Sequence, residues 1–217
     1  MGIADLAVLD WGGLVIDAAG SESVLGAAAG ANAVPMGLRR RMPKFSLAAV
    51  RCAVGVAVPG CELVFASRYG DVTTALSLSE AIVAADLLSP SAFSACVHNA
   101  APGLTAQVVG EKSSHTAVAA GDASLAAGLL EAWLRLSSGE ARQVIVLFAE
   151  QAMPGVYAEF DHEPAAPFVA LALRLALGGS GPAASVGRGR TGALALIEAL
   201  GAGVAAVGVT ADMRTAA

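Results

Sequence analysis

An aspartate, Asp122, stands in Gly121-Asp122-Ala123-Ser124, just ahead of a run with helical spacing. The amides and dipole of a helix entrance favour a carboxylate, and aspartate is a preferred cap, so helix capping is its expected role. Ser113-Ser114-His115 contains two members of a hydrolase site. Neighbours on a strand face opposite sides, so Ser114 and His115 are not expected to pair, and there is no Gly-x-Ser-x-Gly elbow. Gly187-Arg188-Gly189-Arg190-Thr191-Gly192 fits a dinucleotide fingerprint ahead of a helix. No clear strand leads into it, and Asp212 is the one acidic residue about 20 positions on, so a basic loop is expected. His162, between Asp161 and Glu163, has the residue types of a metal site, but sequence neighbours rarely converge on one ion without distant ligands. A solvated loop is expected there. Cys52, Cys61 and Cys96 show no metal spacing, which fits reduced thiols. The expectation is no catalytic residue, no metal and no cofactor.

Alternating elements carry these residues. Strands are expected at Ile3–Asp10, Glu62–Ser67, Ser114–Ala119, Gln143–Ala149 and Phe168–Leu175. Helices are expected at Phe45–Val58 behind Pro43, Val72–Leu88, Asn99–Gly110 with Pro102 in its first turn, and Ala123–Leu136. Trp133 shares a helical face with Leu129, Leu130 and Leu136 and reads as core or interface packing. Short apolar strands alternating with helices predict an α/β fold, a mostly parallel sheet covered by helices on both faces. Residues 1–177 read as one domain, 178–192 as a Gly-rich linker or loop, and 193–217 as a C-terminal helix, expected over Ala193–Ala206, and tail.

Composition narrows the partners. Charged residues make up 14% of the chain against the usual share of about 25%, and hydrophobic residues 56%, so a large apolar subunit interface is expected. A membrane span is not expected: Arg174 interrupts Ala165–Leu177 and Glu198 interrupts Ala193–Val209. Met1–Asp10 has no basic segment before an apolar one, so no secretory signal is expected and the location read is cytoplasmic. A net charge of −5 disfavours nucleic acid, and the short run Arg39-Arg40-Arg41 does not overturn that.

An ordered set of motifs resembles the N-terminal half of the β-ketoacyl synthase family. It runs from Leu88-Ser89-Pro90-Ser91-Ala92-Phe93 through Asn99, Gly103, Gly121-Asp122-Ala123-Ser124 and Gly139-Glu140-Ala141 to a strand ending near Glu150. The resemblance spans roughly residues 36–176 and is densest over 62–150. It implies a thiolase-like half-fold and puts Asp122 where the family has its nucleophilic cysteine. A carboxylate there is a poor nucleophile toward thioesters, and its mixed anhydride would be unstable. His98, His115 and His162 lie in none of the family's histidine motifs, whose half of the fold is expected to be missing.

The resemblance implies a half-length, non-catalytic chain length factor of the kind that accompanies aryl polyene clusters in type II polyketide systems. It would form a heterodimer with a full-length ketosynthase and help shape that enzyme's acyl tunnel. An acyl carrier protein would be an indirect partner, with Arg39-Arg40-Arg41 a candidate for its acidic surface or its phosphopantetheine phosphate. Tyr69, Phe93 and Val97 are the tunnel-facing candidates. Ser114, His115 and Thr116 lie on the strand that pairs across the family's dimer axis. Two other readings stay open: a stand-alone thiolase-like acyltransferase or decarboxylase, and a small-molecule-binding α/β domain.

Overall fold

The computed structural model describes residues 2–28, 34–179 and 183–210. Strands β1 (Gly2–Ile16), β2 (Glu22–Gly26), β3 (Glu62–Ala66), β4 (His115–Val118), β5 (Val144–Glu150), β6 (Phe168–Leu177), β7 (Ala183–Ala184) and β8 (Ala206–Thr210) form one sheet. Their order is β4-β3-β5-β6-β1-β8-β7, with β2 paired to β1. The block β4-β3-β5 is parallel, as alternation of strands and helices requires. Antiparallel ladders extend it, β5 to β6, β6 to β1, and β1 to both β2 and β8. The sheet is therefore mixed.

The helices are α1 (Met36–Arg39), α2 (Lys44–Val56), α3 (Val72–Val83), α4 (Pro90–Cys96), α5 (Ala100–Val109), α6 (Ser124–Ser138) and α7 (Gly189–Gly201). Period-two alternation in β5 divides the core. Val144, Val146 and Phe148 pack with Leu125, Leu129 and Leu136 of α6 and Leu196 and Ile197 of α7. Ile145, Leu147 and Ala149 face the other way, onto Phe45, Ala49 and Cys52 of α2 and Ala101 of α5. Helices thus cover both faces, which fits a strand buried along its whole length.

Several boundaries differ from the sequence expectation. β1 runs on to Ile16 because Gly12 and Gly13 fit a crowded stretch, where a side chain at residue 12 would meet the Ala28 backbone and one at 13 would meet Ile197. The helix expected over Val72–Leu88 stops at Val83. The chain turns left-handed at Ala85, with φ of 56°, and Asp86 N–H donates to the Ala81 carbonyl. α7 starts at Gly189, inside the expected linker, and ends at Gly201; the remainder of the expected helix gives way to β8. Residues 211–217 of the expected tail lie outside the described residues.

Candidate functional site

The site forms where four segments meet at the C-terminal ends of the parallel strands. The elbow between β4 and α6 is closed by Ser124. Its hydroxyl donates to the Gly121 carbonyl at 2.7 Å and accepts from Ala120 N–H at 3.0 Å, while Gly121 takes a φ of +56°. The expected cap role of Asp122 does not hold: Ala123 occupies the cap position and no side chain caps α6. The Asp122 carboxylate instead turns outward and pairs with Arg68 Nη1 at 2.5 Å, with His162 Nδ1 3.6 Å from its other oxygen. Its carbonyl accepts from Gly189 N–H at 2.8 Å. Ser124, with both donor and acceptor, answers the turn better than a carboxylate can.

Arg68 belongs to the turn that follows β3. Below that turn lies Glu150, the acidic end of a wholly apolar strand. Its carboxyl accepts from Arg68 N–H and from the Ser67 hydroxyl, and it is 7% exposed. Burial pushes it up to about 7, although both hydrogen bonds and the Arg190 and Arg68 charges pull the other way. The Arg68 guanidinium lies 4.7 Å from the centre of the Tyr69 ring, within cation–π range.

Outside this polar knot is a groove of about 420 Å³ between α3 and the 3₁₀ turn Gly155–Phe160. Val72, Ala75, Leu76 and Ser79 of α3 form one wall at helical spacing, and Met153, Tyr157, Phe160 and His162 form the other. Arg68 and Tyr69 close the end next to Asp122. That size and lining suit an apolar ligand with a polar end.

The sequence candidates separate into three places. Tyr69 lines the groove together with Arg68 and His162. Phe93 on α4 and Val97 behind it are exposed and lie outside its lining. They belong to an α3–α4 arm on which Ile82, Val83, Leu87 and Leu88 are also exposed, and neither helix buries a residue. Ser114, His115 and Thr116 sit at β4, the end strand of the sheet order. Arg135 reaches the Thr116 hydroxyl at 2.5 Å, the Ser114 hydroxyl at 3.4 Å and Glu62 at 2.6 Å. His115 is exposed, and its crevice is shared with Leu63, Thr105 and Val109. Of the other histidines, His98 shares a hydrogen bond between Nε2 and the Ser67 carbonyl, 2.9 Å apart, and packs edge-on to Phe65.

The Gly187–Gly192 motif does open a helix, but an internal carboxylate occupies that N-terminus. Arg190 N–H and Thr191 N–H donate to Glu163 at 2.6 and 3.0 Å. Gly187 and Gly192 are pressed backbone to backbone. A pyrophosphate would have to displace Glu163. Among the described residues no group of three or more metal-binding side chains converges, and no helix is long and apolar enough to cross a membrane. Arg39, Arg40 and Arg41 are exposed beside α2.

Sequence reasoning missed Arg68 and Arg190. Glu150 was within reach, since an acid ending an otherwise apolar strand must find donors.

The family model for the β-ketoacyl synthase N-terminal domain matches residues 18–196. No curated protein matches the sequence. The fold is similar to a chain of the complex between the ketosynthase ApeO and its chain length factor ApeC from Xenorhabdus doucetiae, with a TM-score of 0.69 and 24% identity over 82% of this chain and 81% of that one. It is also similar to the ishigamide ketosynthase/chain length factor, with a TM-score of 0.62 and 16% identity over 82% of this chain and 63% of that one. A β-ketoacyl synthase from Burkholderia phymatum STM815 gives 0.59 and 13%, over 81% of this chain and 60% of that one. The fold is thiolase-like, and the chain spans less than two thirds of the latter two proteins. With the family model covering well over half its length, this chain belongs to the β-ketoacyl synthase family as an N-terminal-domain protein.

Proposed function

We propose that the chain is a non-catalytic chain length factor that forms a heterodimer with a full-length ketosynthase and helps shape its acyl tunnel in aryl polyene-like type II polyketide synthesis. The observation that carries this reading is the state of Asp122. It occupies the elbow where the family holds a thiolate, and its carboxylate is bound to Arg68 at 2.5 Å. A paired carboxylate is a weak nucleophile, and the mixed anhydride formed from a thioester would not persist. The groove beside it supports a role in shaping space for an acyl chain, with Tyr69 at its polar end. The unburied α3–α4 arm, carrying Phe93 and Val97, and the end strand β4 support a protein partner, because exposed apolar area on this scale marks an interface. The similarity to ketosynthase and chain length factor chains favours a ketosynthase as that partner.

Co-expression with a ketosynthase encoded beside it tests the reading. A 1:1 complex whose condensing activity needs both chains, and which tolerates Asp122→Asn, is the expected result. Tyr69→Ala in that pair is expected to change the product length. Acyl transfer by the chain alone that is abolished in a folded Asp122→Asn variant would establish the enzyme reading instead, with Asp122 and His162 as its pair. A monomer indifferent to the ketosynthase would sink the proposal.

A further inference from the structure

One wall of the groove is a short loop held by a buried clasp. Asp161 accepts from Met153 N–H at 3.0 Å and from Glu163 N–H at 2.9 Å, so the segment from 153 to 163 closes on itself. Arg190 Nη2 reaches the two Asp161 oxygens at 2.8 and 3.0 Å and also donates to the Glu163 carbonyl. The Glu163 carboxylate then takes the two amides at the start of α7. The side chains of Arg190 and Asp161 are 5% and 7% exposed. Burial pulls both carboxyls up, yet the amides and Arg190 outweigh it and hold Asp161 and Glu163 below the usual range. α7 is itself anchored, with Ala193, Leu196, Ile197 and Leu200 in the core.

The groove residues Met153, Tyr157, Phe160 and His162 all fall within this closed segment. Arg190 is absent from the groove lining and lines the smaller polar pocket beside it, and its hydrogen bonds to the groove wall are those to Asp161 and Glu163. We infer that Arg190 is a positioning residue that sets how far the 153–163 wall stands from α3, and so which acyl chains the groove admits. The inference rests on the tunnel-shaping reading above. Arginine suits the task because of its reach: all three contacts come from Nη2 alone, and the ammonium of lysine, although it carries enough donors, ends one bond short of that position.

Hydrogen exchange on the full chain, paired with product analysis of the reconstituted complex, tests this. In Arg190→Met the 153–163 amides are expected to exchange about tenfold faster, with β5 and α6 unchanged. Arg190→Lys is expected to fall between it and the parent. The Arg190→Met complex is expected to give a broader range of product lengths while still assembling. Glu163→Gln keeps the arginine–aspartate pair and is expected to show the same pattern more weakly, which serves if Arg190→Met does not fold. Unchanged exchange overturns the clasp. Faster exchange with unaltered product lengths overturns its role in selecting chains. A parent chain that never binds the ketosynthase removes the tunnel reading and the selection role together, while exchange still decides the clasp.

Discussion

Replacing Glu150 with glutamine removes a charge that the fold resists. Folding raises this carboxyl from the ordinary value of 4.5 to about 7, chiefly by burial. Between those values the native chain holds a proton that the unfolded chain has released. The resulting stability is fully present below pH 4.5 and is lost as the pH rises through 7. Each pH unit of difference is worth about 1.4 kcal/mol, so the interval amounts to about 3 kcal/mol, a large share of a typical domain's stability. Glutamine keeps an acceptor for Arg68 N–H and the Ser67 hydroxyl, and it does not titrate. Urea denaturation of parent and Glu150→Gln across pH 4 to 8 is the assay. The parent is expected to lose about 3 kcal/mol relative to the variant between pH 4.5 and 7.5, with no further change above that. Subtracting the variant cancels Asp161 and Glu163, whose lowered values act in the opposite sense as pH falls. Parallel curves, or a parent that gains on the variant as pH rises, would refute the account of Glu150 as a buried acid held against ionisation.

Asp122→Asn is expected to cost under about 1 kcal/mol in urea titration, since both Arg68 and Asp122 are partly open to solvent. Arg135→Met should be far more damaging, by about 3 kcal/mol in the same measurement, because it strands the half-buried Glu62 and leaves the Thr116 hydroxyl without its donor. A thiol reagent added to native protein is expected to label Cys96 first and to leave Cys52 untouched until unfolding, because burial pushes the Cys52 thiol up to about 12.

Elements with a long apolar period were legible in the sequence. α2, α5, α6 and the strands β3 to β6 lie within two residues of expectation, because burial imposes the period that was read. β2 and β8 were missed for a physical reason. β2 has no buried residue, and β8 follows an Ala- and Gly-rich helix of similar composition. The place of the turn between β4 and α6 was readable from motif order, but the contacts of its side chains were not. Asp122 meets Arg68 across 54 residues, and Glu150 meets Ser67 across 83, so no local pattern announces either contact. Asp161 and Glu163 looked like a solvated flank of His162. Their purpose emerges only once α7 is packed beneath them.

The antiparallel ladders give the chain an order-of-synthesis problem. β1 leaves the ribosome early, yet one of its flanks is filled by β6 and another stretch of it by β8. Among the described residues, only the β2 hairpin is available to it until translation has passed Phe168. A long apolar strand that waits for distant partners makes folding slow and leaves an edge on which nascent chains can stick together. Folding yield should therefore depend on how quickly β6 and β8 follow β1, and a nascent chain stalled before β6 would leave that strand without its partners.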